Sequence, residues 1–421
     1  MRERKGFVSM PILVHKYGGT SMGNIERILS NARRIAADIQ KGYQVAVVVS
    51  AMSGETNRLL ALADEIDPHS SGRERDMLAS AGEQVSIALM AMALHKVGVE
   101  AVSFTALQAG IHSDPFHTRA KITSIDTSRL REVLDRGGVP VVAGFQGVTD
   151  NMEITTLGRG ASDTSAAALA AALGAERCDI YTDVDGVYAA DPRIVRGAKK
   201  IERISFDEML EMAGAGSKVL QTRSVVFAKK YRVPLQVLTS FEDKPGTMIS
   251  EEVKEMEDIL VTGICSDKTE ARITLWGIPD QPGIAAQIFE GLSNQGISVD
   301  MIIQSKGQDG LANMSFTVTK PDLSDAVRVT EKLIDTLKAR QMGVDEKIAK
   351  VTIVGVGMKA HGGVAARMFR CLADKGINIY MISTSEIRIS VVIDEDYTEL
   401  AVRSLAKEFD LVDESVEEKG A

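Results

Sequence analysis

The sequence is short of the features that define several large classes of protein. It holds three cysteines, Cys178, Cys265 and Cys371, odd in number, far apart and in no C-x-x-C pair. That excludes a disulfide framework and a zinc site of ordinary spacing, and it suits a reducing cytosol. The six histidines (His15, His69, His95, His112, His117 and His361) stand at no metal-ligand spacing, so none is assigned to a site and no protein metal centre is expected. There is no basic excess: 49 Lys plus Arg against 58 Asp plus Glu leave a net charge of −9. Nucleic acid is thereby excluded as main partner, because phosphate-backbone binding needs a basic footprint. A small anionic substrate remains compatible, since a local pocket can be positive inside an acidic protein. No apolar run, Ala166–Leu173 included, approaches the roughly 18 residues of a membrane span, and no membrane partner is expected. The start, Met1-Arg2-Glu3-Arg4-Lys5 and then Gly6 to Val14, imitates a signal peptide only loosely. It is broken by Pro11 and runs into His15-Lys16 without a small-residue cleavage site, so a cytoplasmic location is expected. G-x-x-x-x-G-K-[ST] occurs nowhere, which excludes a P-loop enzyme.

What the chain does have is alternation. Short β-branched runs at Ile12–Tyr17, Val45–Ser50, Val139–Phe145, Asp179–Thr182 and Leu235–Leu238 are separated by helical patterns. Those helical patterns cover Asn24–Gln40, Asp76–Val97, Ser128–Arg136, Asp163–Leu173 and Ser205–Ala213. Val45-Ala46-Val47-Val48-Val49 is apolar on both faces, as a strand buried between helix layers must be. The β-α-β-α order predicts a mainly parallel sheet covered on both sides, with ligands beyond the carboxyl ends of its strands. After the charged stretch from Glu251 to Asp258 comes an internal repeat: residues 283–305 align with 363–385 at 10 identities in 23 positions without a gap. The preceding strands, Ile273–Ile278 and Val351–Val356, match as well. Each copy reads strand, glycine turn, amphipathic helix, glycine, strand, so the last third is a duplicated α+β module.

Four motifs fall at predicted strand ends. His15-Lys16-Tyr17-Gly18-Gly19-Thr20-Ser21 puts a lysine beside two glycines, where successive amides can form an anion nest. Leu157-Gly158-Arg159-Gly160-Ala161-Ser162-Asp163 carries an arginine into a helix N-terminus, with Ser162 or Asp163 as N-cap and Gly174 as the helix stop. Tyr181-Thr182-Asp183-Val184-Asp185-Gly186-Val187-Tyr188, followed by Asp191-Pro192-Arg193, ends a strand in an acid-rich turn. Ser50-Ala51-Met52-Ser53-Gly54-Glu55-Thr56 closes the valine strand, and Glu83 interrupts an otherwise apolar helix, either paired with a ligand cation or solvated on an outer face. Gly355-Val356-Gly357-Met358-Lys359-Ala360 imitates a dinucleotide fingerprint, but too little chain follows it for such a fold, and the repeat accounts for it as a module turn.

Together and in this order, these motifs resemble aspartate kinase. The opening Lys16–Ser21, the strand end Ser50–Met52, the loop Gly158–Asp163, the turn Thr182–Arg193 and Gly216–Leu220 all match that family's pattern. The tail resembles its tandem ACT domains, through Ser383-Thr384-Ser385-Glu386-Ile387-Arg388 above all. The resemblance implies an α/β protein: a three-layer αβα amino-acid-kinase fold with a mainly parallel sheet, followed by two ferredoxin-like α+β ACT modules. The expected division is 10–250 for the catalytic domain, 251–266 for a linker and first regulatory strand, 267–347 for the first module and 348–421 for the second.

The implied reaction is transfer of the γ-phosphoryl group of ATP, with Mg2+, to the β-carboxylate of L-aspartate, the first step of lysine, threonine and methionine biosynthesis. By the resemblance Lys16, Glu83 and Asp163 are catalytic. Arg159 would take the α-carboxylate of aspartate and Glu83 its ammonium, with Thr56, Gly160 and Ser162 completing the pocket. Lys16, Tyr17, Gly18, Gly19, Ser50, Thr182, Asp183, Tyr188, Asp191, Pro192, Arg193 and Lys218 would line the nucleotide side. Lysine and threonine, singly or together, are the expected effectors, at Asp280, Ser298, Val299, Asp300, Gln304, Asn378, Ile379, Ser383, Thr384 and Glu386. A homo-oligomer through ACT pairing is expected, and Met256 could start a separate regulatory chain. Three departures stand out: Ala161 for a family glycine, Ser298 where the second copy has Asn378, and Gly362 for a proline. The competing readings are an amino-acid kinase with another acceptor carboxylate and a non-catalytic amino-acid sensor.

Overall fold

A computed structural model of the full chain describes residues 10–158, 160–251, 260–307, 310–337, 339–359, 363–413 and 415. They form two compact units, Met1–Val187 with Lys200–Ala213 and Lys218–Lys254, and Tyr188–Lys199 with Gly214–Ser217 and Glu255–Ala421.

The first unit opens with β1 (Ile12–Tyr17), α1 (Ile25–Gln40), β2 (Gln44–Val49), α2 (Glu55–Ile66), α3 (Gly72–Lys96) and β3 (Ala101–Phe104). A second run holds β4 (Ile111–Ser113), β5 (Ile122–Ile125), α4 (Ser128–Asp135), β6 (Val139–Ala143), β7 (Gln146–Val148), β8 (Ile154–Thr156) and α5 (Ser162–Leu173). Then follow β9 (Arg177–Thr182), β10 (Val187–Tyr188), β11 (Lys200–Ile201), β12 (Arg203–Ser205), α6 (Phe206–Gly214), α7 (Thr222–Tyr231), β13 (Leu235–Thr239) and β14 (Thr247–Ser250). The main sheet has eight strands in the order β12-β14-β13-β9-β1-β2-β6-β3, parallel except at β13–β14.

The valine strand β2 lies inside the sheet between β1 and β6, with Val45 to Val49 buried, which is why both of its faces are apolar. One face packs on α1 and α3 through Ile28, Ile35, Met90 and Leu94. Helix α3 is long and apolar enough to cross a bilayer by length and composition. Asp76, Ser80, Glu83 and Ser86 nevertheless lie buried along it, as on a core helix with a polar duty. The sequence reading missed α2, α7 and the small sheet β5-β4-β7-β8, all of them short or weakly periodic.

The second unit contains β15 (Gly263–Asp267), β16 (Glu270–Pro279), α8 (Ile284–Ser293), β17 (Val299–Lys306), β18 (Leu311–Thr319), α9 (Leu323–Leu337) and β19 (Gln341–Asp345). After these come β20 (Ile348–Val354), α10 (Val364–Asp374), β21 (Met381–Thr384), β22 (Arg388–Asp394) and α11 (Thr398–Glu408). The first module is a complete β-α-β-β-α-β unit with sheet order β17-β18-β16-β19, around Ile273, Leu275, Ile288, Leu292 and Phe316. The second module has the order β15-β20-β22-β21, so its fourth strand is supplied by β15, ahead of the whole first module. A division that runs straight along the sequence therefore misses a register that crosses it. The repeat gave no sign of this because β15 lies outside both copies.

The duplication is visible in space. Thr274 and Ser315 exchange a hydroxyl hydrogen bond at 2.9 Å, and their equivalents Thr352 and Ser390 do the same at 2.9 Å. Lys320 and Glu395, which occupy matching places after β18 and β22, pair with each other at 3.1 Å.

Candidate functional site

The parallel register brings the carboxyl ends of β1, β2 and β9 side by side, with Tyr17 opposite Val49 and Tyr181. Because successive strand residues face opposite sides, Lys16 points one way while His15 and Tyr17 point the other. The Lys16 ammonium lies 2.5 Å from Asp163 Oδ1 of α5, and both side chains are 10% exposed. Asp163 Oδ1 has no hydrogen-bond partner, so the contact is an ion pair off the hydrogen-bond line. It unites the first and second motifs, which lie far apart in the chain. A Cβ on Gly18 would stand 3.2 Å from Lys16 Nζ, so the chain lies close against the ammonium.

The two glycine amides are not equivalent. Gly18 N–H donates to Tyr181 O at 3.1 Å and is consumed by the strand end, which corrects the expectation that both amides face a ligand. Gly19 retains that place, packed so near Ala51 O that a Cβ would come within 3.2 Å of it. Tyr17, expected on the nucleotide side, buries its ring in the core, stacked on Tyr181 at 4.8 Å, and offers a ligand its main chain alone.

Glu83 is the second anchor. Gly82 lets α3 approach the end of β2 so closely that a Cβ would meet Ala51 Cβ at 2.7 Å. At that contact Glu83 accepts a hydrogen bond from Ala51 N at 3.0 Å, while its buried Oε2 makes no well-formed hydrogen bond, with the Gln146 side chain nearby. Burial pushes its carboxyl up to about 7. The solvated-face alternative is excluded, for Glu83 is 2% exposed. An unpartnered buried carboxylate oxygen is costly, and a ligand cation would satisfy it.

Helix α5 begins at Ser162 with Ala161 at the N-cap, and neither Ser162 nor Asp163 caps it. That corrects the capping expectation: Asp163 is committed to Lys16 instead. Ala161 has φ −76°, a conformation any residue adopts, so the departure from glycine costs the loop nothing. Gly158 (φ 91°) and Gly160 (φ 72°) supply the left-handed turns. Arg159 between them lies outside the described residues, as do Met256 and Gly362.

Around this loop stand residues the sequence did not reveal. Asp76 is buried and accepts from His117 Nδ1 (2.9 Å), Thr118 N (2.9 Å) and Thr156 Oγ1 (2.6 Å). Arg223 of α7 donates to Leu157 O at 2.6 Å and to Ala120 O at 3.1 Å. Thr164 donates to Gln221 Oε1 at 2.6 Å. None belongs to a local pattern; only the fold brings them to the loop.

Of the remaining expected residues, Ser50 follows β2 and its N–H donates to Tyr17 O at 3.0 Å. Thr56 lies in the first turn of α2 after Gly54 (φ 80°). Thr182 and exposed Asp183 end β9, with Thr182 Oγ1 donating to Asp183 Oδ1 at 3.1 Å, and Lys218 is exposed in the same unit. Tyr188, Asp191, Pro192 and Arg193 belong to the second unit, where Arg193 and Asp191 form an ion pair at 2.7 Å. The expected effector residues take matching places in the two modules. Asp280, Ser298, Val299, Asp300 and Gln304 lie at and before β17; Asn378, Ile379, Ser383, Thr384 and Glu386 lie around β21. Both strands are sheet edges. Among the described residues, no group of three or more His, Cys, Asp or Glu could hold a metal.

Comparison with known proteins adds an independent line. The profile of the amino acid kinase family matches residues 11–239, and that of the ACT domain matches 273–333 and 351–409. An aspartate kinase of Stutzerimonas stutzeri is 52% identical over 403 residues, covering 96% of this chain and 98% of the relative. Aspartokinase III of E. coli, solved with aspartate and ADP in its R-state, superposes with a TM-score of 0.78 at 26% identity, over 94% of this chain and 99% of that one. The same enzyme with lysine and aspartate, in its T-state, gives 0.72 over the same shares.

Proposed function

This chain belongs to the aspartate kinases of the amino acid kinase family, and from that premise we propose that it phosphorylates the β-carboxylate of L-aspartate with ATP, under feedback from lysine or threonine at its ACT modules. One observation carries the catalytic half: Lys16, Asp163, the Gly19 amide and the unpartnered oxygen of Glu83 gather at the ends of adjacent parallel strands.

Phosphoryl transfer asks little covalent work of a protein and much placement of charge. A β-carboxylate oxygen of aspartate attacks the γ-phosphorus in line, and the bond to the β–γ bridging oxygen breaks to release ADP. The nucleophile is already ionised at neutral pH and needs no general base. Lys16 and the Gly19 amide supply positive charge where the transferring group gathers negative charge. Glu83 holds the substrate ammonium, Arg159 the α-carboxylate, and Thr56, Gly160 and Ser162 close the pocket. Ser50, Thr182, Asp183, Tyr188, Asp191, Pro192, Arg193 and Lys218 serve the nucleotide. Mg2+ needs few protein carboxylates when it arrives on ATP phosphates. When bound, it would neutralise phosphate charge.

The regulatory half rests on the duplicated modules and on the lysine-bound relative. A cytoplasmic homo-oligomer paired through its ACT modules belongs to the same proposal. The test is an ADP-release assay with aspartate, glutamate and N-acetylglutamate as acceptors, with lysine and threonine titrated singly and jointly. Turnover on aspartate alone, lowered by either effector, is expected. Preference for another carboxylate would overturn the substrate assignment, and indifference to both amino acids the regulatory one.

A further inference from the structure

Equivalent positions in the two modules reach across to each other, and they do so with different chemistry. Arg272 of β16 stacks on the ring of Tyr380 at 4.9 Å. Its counterpart Lys350 of β20 reaches the counterpart of Tyr380, which is Asp300, at 2.5 Å. Lys350 also binds Glu270 Oε1 at 2.8 Å. Met301, Ile348, Met381 and Val392 form an apolar cluster on the same strands, with Lys350 only 4% exposed. Two carboxylates thus share one buried ammonium.

The three groups are unequal. Glu270 is held inside, with a side chain 9% exposed, whereas the Asp300 side chain is 44% exposed. Burial pushes the Glu270 carboxyl up, and Lys350 only partly offsets it. Burial acts on Asp300 in the same sense, but the Lys350 ammonium, then a hydrogen bond with Glu270 and more weakly Arg388, outweigh it and hold that carboxyl down. Asp300 is therefore an ionised carboxylate held by Lys350 and still partly exposed to water, at the place expected to receive an amino-acid effector.

We propose that Glu270 sets the affinity for the amino-acid effector by competing with Asp300 for the Lys350 ammonium, so that an effector's own ammonium, landing on Asp300, supplies the charge that Lys350 divides between two carboxylates. The idea rests on the effector assignment above and deepens it. With Glu270 ionised, Lys350 is shared, and Asp300 keeps negative charge to offer a ligand. With Glu270 neutral, Lys350 belongs to Asp300 alone, and the pair presents nothing to an incoming ammonium. Two charges at close range in a low-dielectric setting interact strongly enough for this division to decide affinity. Arg272, the matching cation, pairs with one carboxylate, Asp345 at 3.0 Å, and meets the Tyr380 ring where Lys350 meets Asp300, so it has no second carboxylate to divide itself between.

The test is titration calorimetry of the full chain with L-lysine and with L-threonine. Glu270→Gln should weaken binding at least tenfold while the uninhibited kinase rate stays unchanged, since Glu270 lies in the regulatory unit. Glu270→Gln combined with Lys350→Met should restore wild-type affinity or better, because Asp300 is then unopposed. A Glu270→Gln protein that binds as wild type overturns the proposal and leaves the effector assignment standing. Should that single variant lose its uninhibited rate, the double variant decides, and weaker binding than wild type overturns the proposal. A wild-type chain that binds neither amino acid overturns the effector assignment and this proposal with it.

Discussion

Two lysines in this chain are buried and ion-paired, and they are set to opposite uses. Lys16 closes a strand at a ligand-facing edge and meets one carboxylate, Asp163. Lys350 sits within β20 between two sheets and meets two, Glu270 and Asp300. The balanced pair at the strand end can turn its ammonium to a phosphate with only one partner to leave. The over-subscribed lysine cannot leave without releasing two acids at once, one of them, Glu270, enclosed. Burial and a short ion-pair distance alone therefore do not separate a catalytic lysine from a structural one; what stands next to the pair does.

Deleting each ammonium breaks the comparison most directly. Lys16→Ala should lower kcat by roughly 10²–10³, as expected for loss of one charge-stabilising donor, and should destabilise less than Lys350→Ala because it strands one carboxylate rather than two. Turnover within a few-fold of wild type would remove Lys16 from the mechanism. Lys350→Ala should do the reverse and cost about 3–5 kcal/mol in urea unfolding, the scale for breaking a buried pair from one side. Its uninhibited kcat should hold at low temperature. Equal stability losses in the two variants would show that both lysines are structural.

Glu83 sharpens the contrast through pH. Its carboxyl is raised to about 7 by burial, so the ligand-free protein holds it protonated below that and ionised above. A folded pKa above the unfolded one means that its contribution to stability is complete below about 4.5 and fades as pH rises through about 7. Substrate binding runs the other way, because only the carboxylate attracts the aspartate ammonium. The free-enzyme profile of kcat/KM for aspartate should therefore climb to a plateau above pH 7. Glu83→Gln should flatten that climb and raise the KM for aspartate about tenfold or more, with the KM for ATP little changed. A slope that survives the substitution assigns the titration to another group.

Much of this was legible in the residues. The valine-rich run marked β2 as a strand buried between helix layers, which it is, and the glycine motifs fell at strand ends because only there does the chain need both a turn and a close approach. Lys16 and Asp163 were named separately, and their contact is a product of parallel register that no local pattern encodes. The same limit hid Asp76, Arg223 and Gln221, which support the Gly158–Gly160 loop from helices distant in sequence. Gly18 was misjudged for a related reason: a glycine pair shows that the backbone comes close to something, without saying that the neighbour is Tyr181 rather than a ligand. The repeat disclosed two modules and concealed that the second borrows β15, since a strand outside both copies carries no repeat signal.

The smallest expected effect tests whether the family's glycine matters where this chain has Ala161. A glycine there would be required only by positive φ, and Ala161 has φ −76° with its methyl fully buried beside Ala120 and Leu157. Ala161→Gly therefore gains the loop no conformation it needs. It removes a buried methyl and adds backbone freedom to the unfolded chain, together about 1 kcal/mol of stability. Urea unfolding should report that loss, while kcat and both KM values stay within about twofold of wild type, well inside what one lost contact would produce. A tenfold gain in kcat/KM for aspartate would mean that the loop passes through a left-handed conformation during turnover, and that the pairing of Lys16 with Asp163 describes a resting arrangement rather than the reacting one.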